Sequence, residues 1–152
     1  MFTGLRNIPT RTRECKRNFA PARILFAPVV EVSRSEFERM VGDALDEIPD
    51  ALATELENVA VIVEDWPTAE QLARVGARGT LLGLYEGVPL TARGPISYSG
   101  VAPDRITIFQ GTLSRRARDV DQLAAQVRVT VLHEVGHYFG MDDARLHELG
   151  WA

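Results

Sequence analysis

The chain has 152 residues, 45% of them hydrophobic, and a formal net charge of −4 at pH 7. A chain of this length buries about two thirds of its unfolded surface, so it can form one core without disulfides or a structural metal. Its single cysteine, Cys15, excludes an internal disulfide, and there is no apolar run of roughly 18 residues that would predict a membrane span. Because we also find no usable signal peptide, we expect a cytoplasmic protein with no membrane partner.

Positive charge is concentrated at the start of the chain, where residues 1–23 carry six basic side chains against Glu14, a net of +5. The remaining residues hold eleven basic and twenty acidic side chains, a net of −9. We predict a basic tail over 1–23 and one domain over 24–152. We favour a disordered tail or a strap on the acidic body. The alternatives are a nucleic-acid arm, an anchor to anionic surfaces and a transit peptide.

Hydrophobic spacing and capping residues predict elements in the order α, α, β, β, β, α, α. The predicted elements are helices from Ser33 to about Glu47 and over 51–57, strands over 58–64, 80–86 and 106–110, and helices over 120–138 and 143–149. Strand 58–64 is rich in Val and Ile with little alternation, which is typical of a strand buried on both faces. The order predicts an α+β fold, with a three- or four-stranded mixed sheet and the long helix packed on one face.

The predicted strand at Leu81–Tyr85 is followed by Gly87 and Pro89. Proline is tolerated mainly at sheet edges, so this strand is a candidate edge beside a cleft. An edge strand can hold an extended peptide by main-chain pairing; the other interpretation is an interior strand whose leucines belong to the core. Tyr85 and Tyr98 are candidate donors to a developing oxyanion by residue type, although spacing selects neither.

The long helix after Asp119 separates an apolar stripe from a polar line. The stripe consists of Val120, Ala124, Val127, Val131, Val135 and Tyr138 at i+3/i+4 spacing, and the polar line of Gln126, Thr130, His133 and His137. The stripe is predicted to face the core. The polar line is therefore a candidate wall of a cleft.

This helix carries the run His133-Glu134-Val135-Gly136-His137-Tyr138-Phe139-Gly140-Met141-Asp142-Asp143. Histidines four apart lie about 40° apart around a helix, so both imidazoles can bind one metal ion. Glu134 points about 100° away from His133, which suits a general base acting on a water in the open coordination position. Gly140 can adopt the left-handed conformation that ends helices, and the reversal can bring Asp143 to the ion. Two histidines and one carboxylate suit Zn²⁺.

The third ligand has alternatives, because Asp142, His147 and Glu148 are also close in sequence. Asp143 matches the spacing of compact zinc peptidases whose third ligand lies six residues past the second histidine. His147, one further helical turn on, is the second candidate, and we favour a surface position for it. Asp142 is predicted to cap the last helix, with Gly150 ending it.

The motif and its surroundings resemble the minimal zincins, a family of small bacterial predicted zinc metallopeptidases. The resemblance covers roughly residues 33–150 and rests on Val129–Asp143 and Leu146–Gly150, and more loosely on Asn58–Asp65 and Leu82–Leu90. It implies a compact α+β zinc-peptidase core in which His133, His137 and Asp143 are metal ligands and Glu134 is the base. The metzincins share the pattern but carry histidine in place of Asp143 and a methionine turn downstream, whereas Met141 here falls inside the motif.

The sequence thus favours a zinc-dependent peptidase in which Glu134 deprotonates a metal-activated water that attacks an amide of a peptide or protein substrate. A metal-dependent endoribonuclease of the rRNA-maturation type is an alternative, because its three metal-binding histidines have the spacing of His133, His137 and Asp143. Those enzymes typically carry glycine where this chain has Glu134, and nucleic acid would have to be bound by the basic tail. A non-catalytic metal-binding interaction module is the other alternative. A purely structural zinc site lacks an obvious fourth ligand.

Overall fold

The computed structural model describes residues 29–56, 58–76, 80–94 and 102–151 of the chain. The helices are α1 (Arg34–Asp46), α2 (Asp50–Ala53), α3 (Ala69–Arg74), α4 (Gln110–Arg116), α5 (Val120–Tyr138) and α6 (Asp143–Glu148), and the strands are β1 (Val59–Glu64), β2 (Gly83–Glu86) and β3 (Asp104–Phe109). A single 3-10 turn spans Leu90–Ala92 within these ranges. None of the described helices is both long and apolar enough to cross a membrane. The predicted basic tail and the boundary at residue 24 lie outside the described residues.

The strands form one mixed three-stranded sheet in the order β1-β3-β2. β1 runs parallel to β3, with Val61 opposite Ile106, and β2 runs antiparallel to β3, with Tyr85 opposite the same residue. The central strand β3 is buried on both faces, because Ile106 to Phe109 are all fully shielded from solvent. The α+β fold with a three-stranded mixed sheet is therefore confirmed.

β1 was predicted to be buried on both faces, and this prediction is wrong. Its side chains are half-buried, and that of Ala60 is exposed. The reason is topological, since β1 has a hydrogen-bonded neighbour on one side only among the strands that the structure describes. A Val- and Ile-rich run indicates a strand but does not state its place in the sheet.

The two long helices α1 and α5 pack against each other, and α5 also lies on β2 and β3. α1 begins with a capping box, in which Ser33 Oγ accepts from Glu36 N–H at 3.2 Å and Glu36 Oε2 accepts from Ser33 N–H at 2.8 Å. α5 begins after the N-cap Asp119, whose Oδ1 accepts from Gln122 N–H at 2.7 Å. The metal-binding motif therefore lies at the end of a helix fixed in the core.

The apolar stripe of α5 is correct along most of its length and wrong at its start. Val127, Val131, Val135 and Tyr138 are fully buried, whereas Val120 is 49% exposed. Leu123 takes the first core position instead. The error is confined to the first turn of the helix.

Two short helices were not predicted. α3 begins with a capping box formed by Thr68 and Gln71, which the sequence displays as Thr-x-x-Gln. α4 begins at Gln110, directly after β3, where the sequence suggested continued strand. Helices this short have too little hydrophobic periodicity to be distinguished from loops or strand ends.

A buried polar cluster joins β2, β3 and α5. Asp104 Oδ2 accepts from the Tyr85 hydroxyl at 2.7 Å and also from the Arg93 guanidinium. The same guanidinium lies 4.8 Å from the centre of the Tyr138 ring, and the Tyr138 hydroxyl donates to Glu55 O at 2.6 Å. The cluster therefore ties the segment after β2 to the helix that carries the motif.

We expect Asp104→Asn to lower the free energy of unfolding by about 3 kcal/mol, because it removes the negative charge of the buried ion pair that Asp104 forms with Arg93. Urea unfolding measures this loss. Arg105→Gln is the matched control, since it breaks the solvent-exposed pair with Glu86 and should cost under about 1 kcal/mol. Equal losses in the two variants would contradict a stabilising role for the buried pair.

Candidate metal centre

His133 and His137 lie one turn apart on α5, and their Nε2 atoms face each other. Their Nε2 atoms are 3.0 Å apart, and their rings meet edge to face with centroids 4.6 Å apart. Both side chains are partly exposed. The helical spacing predicted from the sequence therefore brings two imidazole nitrogens to one point that solvent can reach.

The opposite ring nitrogens are held by backbone carbonyls. His133 Nδ1 lies 3.0 Å from Trp151 O, and His137 Nδ1 lies 3.1 Å from Met141 O. A carbonyl oxygen only accepts hydrogen bonds, so each Nδ1 must carry the proton and donate it. A neutral imidazole protonated at Nδ1 presents a lone pair at Nε2. Both Nε2 lone pairs are thus directed into the same small space.

The chain reverses after α5 and brings Asp143 to these two nitrogens. Gly140 has a φ of +80°, which ends the helix as predicted, and the Asp142 side chain caps α6 by accepting from Arg145 N–H at 2.8 Å. Asp143 Oδ1 then lies 3.6 Å from His133 Nε2 and 3.4 Å from His137 Nε2. His147, the alternative ligand, is exposed and lies outside this group.

The three donors have the spacing that a tetrahedral metal ion requires. Ligand atoms about 2.0–2.1 Å from a tetrahedrally coordinated ion lie about 3.3 Å from one another. The three observed separations are 3.0, 3.4 and 3.6 Å. A cation between them would also relieve the opposition of two nitrogen lone pairs. The residues present therefore fit a divalent metal, and two nitrogens with one carboxylate oxygen are a common donor set for zinc.

Glu134 does not join this group but lies beneath the sheet edge. Its side chain is directed towards Gly83 of β2, and only 7% of the residue is exposed. Burial raises the pKa of Glu134 to about 7, a hydrogen bond from the Tyr85 backbone N–H lowers it, and the nearby charge of Asp143 raises it. Glu134 is therefore a stronger base than an ordinary glutamate.

These side chains line one open cavity of about 400 Å³ together with Gly83, Leu84 and Tyr85 of β2. A smaller, more apolar cavity of about 300 Å³ adjoins it and shares Gly83, His133 and Glu134. Among the described strands, β2 lies at an edge of the sheet, which agrees with one of the two interpretations of Leu81–Tyr85. The Tyr85 hydroxyl donates its hydrogen bond to Asp104, so the structure gives no support to an oxyanion role for Tyr85. Tyr98, the other candidate donor, lies outside the described residues.

Comparison with known proteins assigns the family. The family model described as zincin-like metallopeptidase matches residues 56–151 of the chain.

The chain belongs to the zincin-like metallopeptidase family.

The resemblance to zincins is confirmed by this match. Family membership supports a metallopeptidase-type function in general and implies a metal cofactor, usually zinc. Among solved structures, a conserved hypothetical protein from Thermo thermophilus is 24% identical, with a TM-score of 0.47, over 78% of this chain and 97% of that chain. Comparison with curated proteins gives no significant match.

Three residues that shape this zincin-like site were not predicted. A Cβ at Gly83 would lie 2.8 Å from Glu134 Cγ and 2.9 Å from its Oε1, so glycine is needed where β2 crosses α5. A Cβ at Gly136 would overlap Leu146 Cδ2, so glycine lets α6 approach α5. Trp151 contributes only its carbonyl oxygen. Gly136, an isolated glycine within the helical pattern of α5, could have indicated close packing from the sequence. The carbonyl oxygen of Trp151 could not have been identified in this way, because a backbone acceptor has no sequence signal.

We expect Gly136→Ala to lower the free energy of unfolding by about 1–3 kcal/mol, because Leu146 and α6 must move to admit the methyl group. Gly42→Ala in α1 is the matched control, since its Cβ would have no atom within 4 Å. That substitution should raise stability by up to about 1 kcal/mol through helix propensity alone. Urea unfolding measures the stability of both variants. If Gly136→Ala raised stability as much as Gly42→Ala, the packing of α6 against α5 would not depend on Gly136.

Proposed function

We propose that this protein is a zinc-dependent peptidase in which His133, His137 and Asp143 hold the ion and Glu134 is the general base. The observation that carries the proposal is the convergence of the two Nε2 atoms, with Asp143 Oδ1 at 3.4 and 3.6 Å. A single cation accounts for all three donors. The assignment of the chain to a metallopeptidase family supports the same chemistry.

A zinc ion held there would supply Lewis acidity that polarises a substrate carbonyl and lowers the pKa of a coordinated water. Glu134 would make the proton transfers, a role supported by its position in the same cavity as the three donors. One of its carboxylate oxygens takes a proton from water and passes it to the nitrogen of the leaving amine, so that water is consumed and one amide bond is broken. The Glu134 side chain lies against Gly83 of β2, where a Cβ would be 2.8 Å from Glu134 Cγ.

The open edge of β2 would bind the substrate backbone. Leu82 O accepts from Phe109 N–H at 2.9 Å, so Leu82 faces β3. Neighbouring residues of an antiparallel strand alternate in direction, and the backbone groups of Gly83 therefore face the open edge. An extended peptide pairing with this edge would pass the imidazole pair, because Gly83 and both histidines line one cavity.

The protein is expected to bind one zinc ion per chain, and Asp143→Ala should weaken its zinc affinity by more than about 100-fold. Competition with a chromophoric chelator measures that affinity. His147→Ala is the matched control and should leave the affinity unchanged within about threefold, since His147 lies outside the donor group. A large loss with His147→Ala and none with Asp143→Ala would reverse the assignment of the third ligand.

Glu134→Gln should bind zinc within a few-fold of the parent and lose peptide hydrolysis by about 10²–10⁴-fold, because the amide cannot accept the proton. Cleavage of a quenched-fluorescence peptide library by the two zinc-loaded proteins is the measurement, with an RNA substrate in parallel. Peptide turnover that survives the substitution would remove Glu134 as the base. RNA cleavage without peptide cleavage would favour the endoribonuclease, and zinc binding without either activity would favour the non-catalytic module.

A further inference from the structure

Another cavity, of about 600 Å³, lies beyond the start of β2 and belongs to none of the chemistry described above. It is larger than the cavity of the metal centre, and its lining includes Trp66, Leu72, Leu81, Thr112, Arg115 and Arg116. Leu81 also lines both cavities at the metal centre. The larger cavity, which we call the arginine cavity, therefore shares Leu81 as a wall with the cavities at the metal centre.

One wall of the arginine cavity is an aromatic ring fixed on α4. A Cβ at Gly111 would overlap Trp66 Cζ2, so the indole lies directly against the helix backbone there. One turn further along α4, the Arg115 guanidinium lies 4.5 Å from the centre of the indole ring. Trp66 is nevertheless 47% exposed, so it presents an ordered apolar surface to whatever enters.

The charge of the arginine cavity is positive, although the chain as a whole carries −4. None of the described residues that line it is acidic. Within the described part of the chain, neither Arg115 nor Arg116 forms an ion pair, whereas Arg74 and Arg105 are both paired with Glu86. A guanidinium can bond a carboxylate with two parallel hydrogen bonds, which favours this ligand in geometry as well as in charge.

We propose that the arginine cavity is a substrate subsite that selects a carboxylate-bearing residue of the peptide, a specificity that rests on the proposed peptidase function. Arg115 and Arg116 bind the carboxylate, and Trp66, Leu72 and Leu81 contact the aliphatic part of the same residue. The carboxylate has two possible sources, an Asp or Glu side chain and the free C-terminus of the peptide. A ring beside arginines also suits a nucleobase and phosphate, but the acidic body and the peptidase family favour a peptide.

The experiment uses binding, so that it does not depend on turnover. The zinc-loaded Glu134→Gln protein is titrated, by fluorescence anisotropy, with fluorescein-labelled random peptide pools that differ only in Glu against Gln or in a free against an amidated C-terminus. We expect about tenfold tighter binding of the carboxylate-bearing pool, a preference that falls as salt rises. Adding both Arg115→Gln and Arg116→Gln to the Glu134→Gln protein should abolish the preference for the carboxylate-bearing pool. Arg39→Gln, which removes one charge on α1, is the control and should leave this preference unchanged.

The outcomes separate the two proposals. Preference for Glu over Gln assigns the subsite to an acidic side chain, and preference only for a free C-terminus assigns it to the terminal carboxylate. Equal binding of all pools, or a preference that survives loss of both arginines, overturns the subsite whether or not the parent enzyme cleaves peptides. An arginine-dependent affinity for oligouridylate without any peptide preference overturns it in favour of nucleic acid. Failure of the zinc-loaded parent to cleave any pool overturns the peptidase while leaving the binding preference measurable.

Discussion

The candidate site depends on two hydrogen bonds that do not involve the metal. Trp151 O and Met141 O each accept from an imidazole Nδ1, and together they orient both Nε2 lone pairs towards one point. Without these acceptors either ring could rotate or change tautomer. The segment after α5 therefore contributes three things at once: a hydrogen-bond acceptor for each histidine and the carboxylate of Asp143.

Close backbone approach is the second constraint, and glycine provides it from both sides of α5. Gly83 lets β2 lie against Glu134, and Gly136 lets Leu146 of α6 lie against the helix. Glu134, the proposed base, and Asp143, the proposed third ligand, are thus positioned by contacts that a single methyl group would disrupt. Leu146 is fully buried, so α6 is part of the core even though the side chain of Asp143 at its start is 83% exposed.

Sequence patterns predicted the features that depend on residues close together in the chain. They missed the features that depend on how helices and strands pack against one another. The motif on α5, the reversal at Gly140 and the cap at Asp142 all follow from residue type and spacing, and the geometry agrees with them. The half-burial of β1 follows from its place at the edge of the sheet that the described strands form, and no local pattern indicates that place. The contact between Gly83 and Glu134 joins residues far apart in the chain, and the acceptor on Trp151 is a group that every residue possesses.

The edge strand β2 connects the proposed chemistry with the proposed selectivity. Its Gly83 lies against Glu134, the proposed general base, and Leu81, two residues earlier, lies at the wall shared with the arginine cavity. A strand advances about 3.3 Å per residue, so a peptide paired with this edge would place a side chain in the arginine cavity only a few residues from the amide that is cleaved. Recognition of a carboxylate there would fix the register of the whole peptide. The site of cleavage in the peptide would then be set by the distance, measured in the direction of β2, between the two guanidinium groups and the imidazole pair.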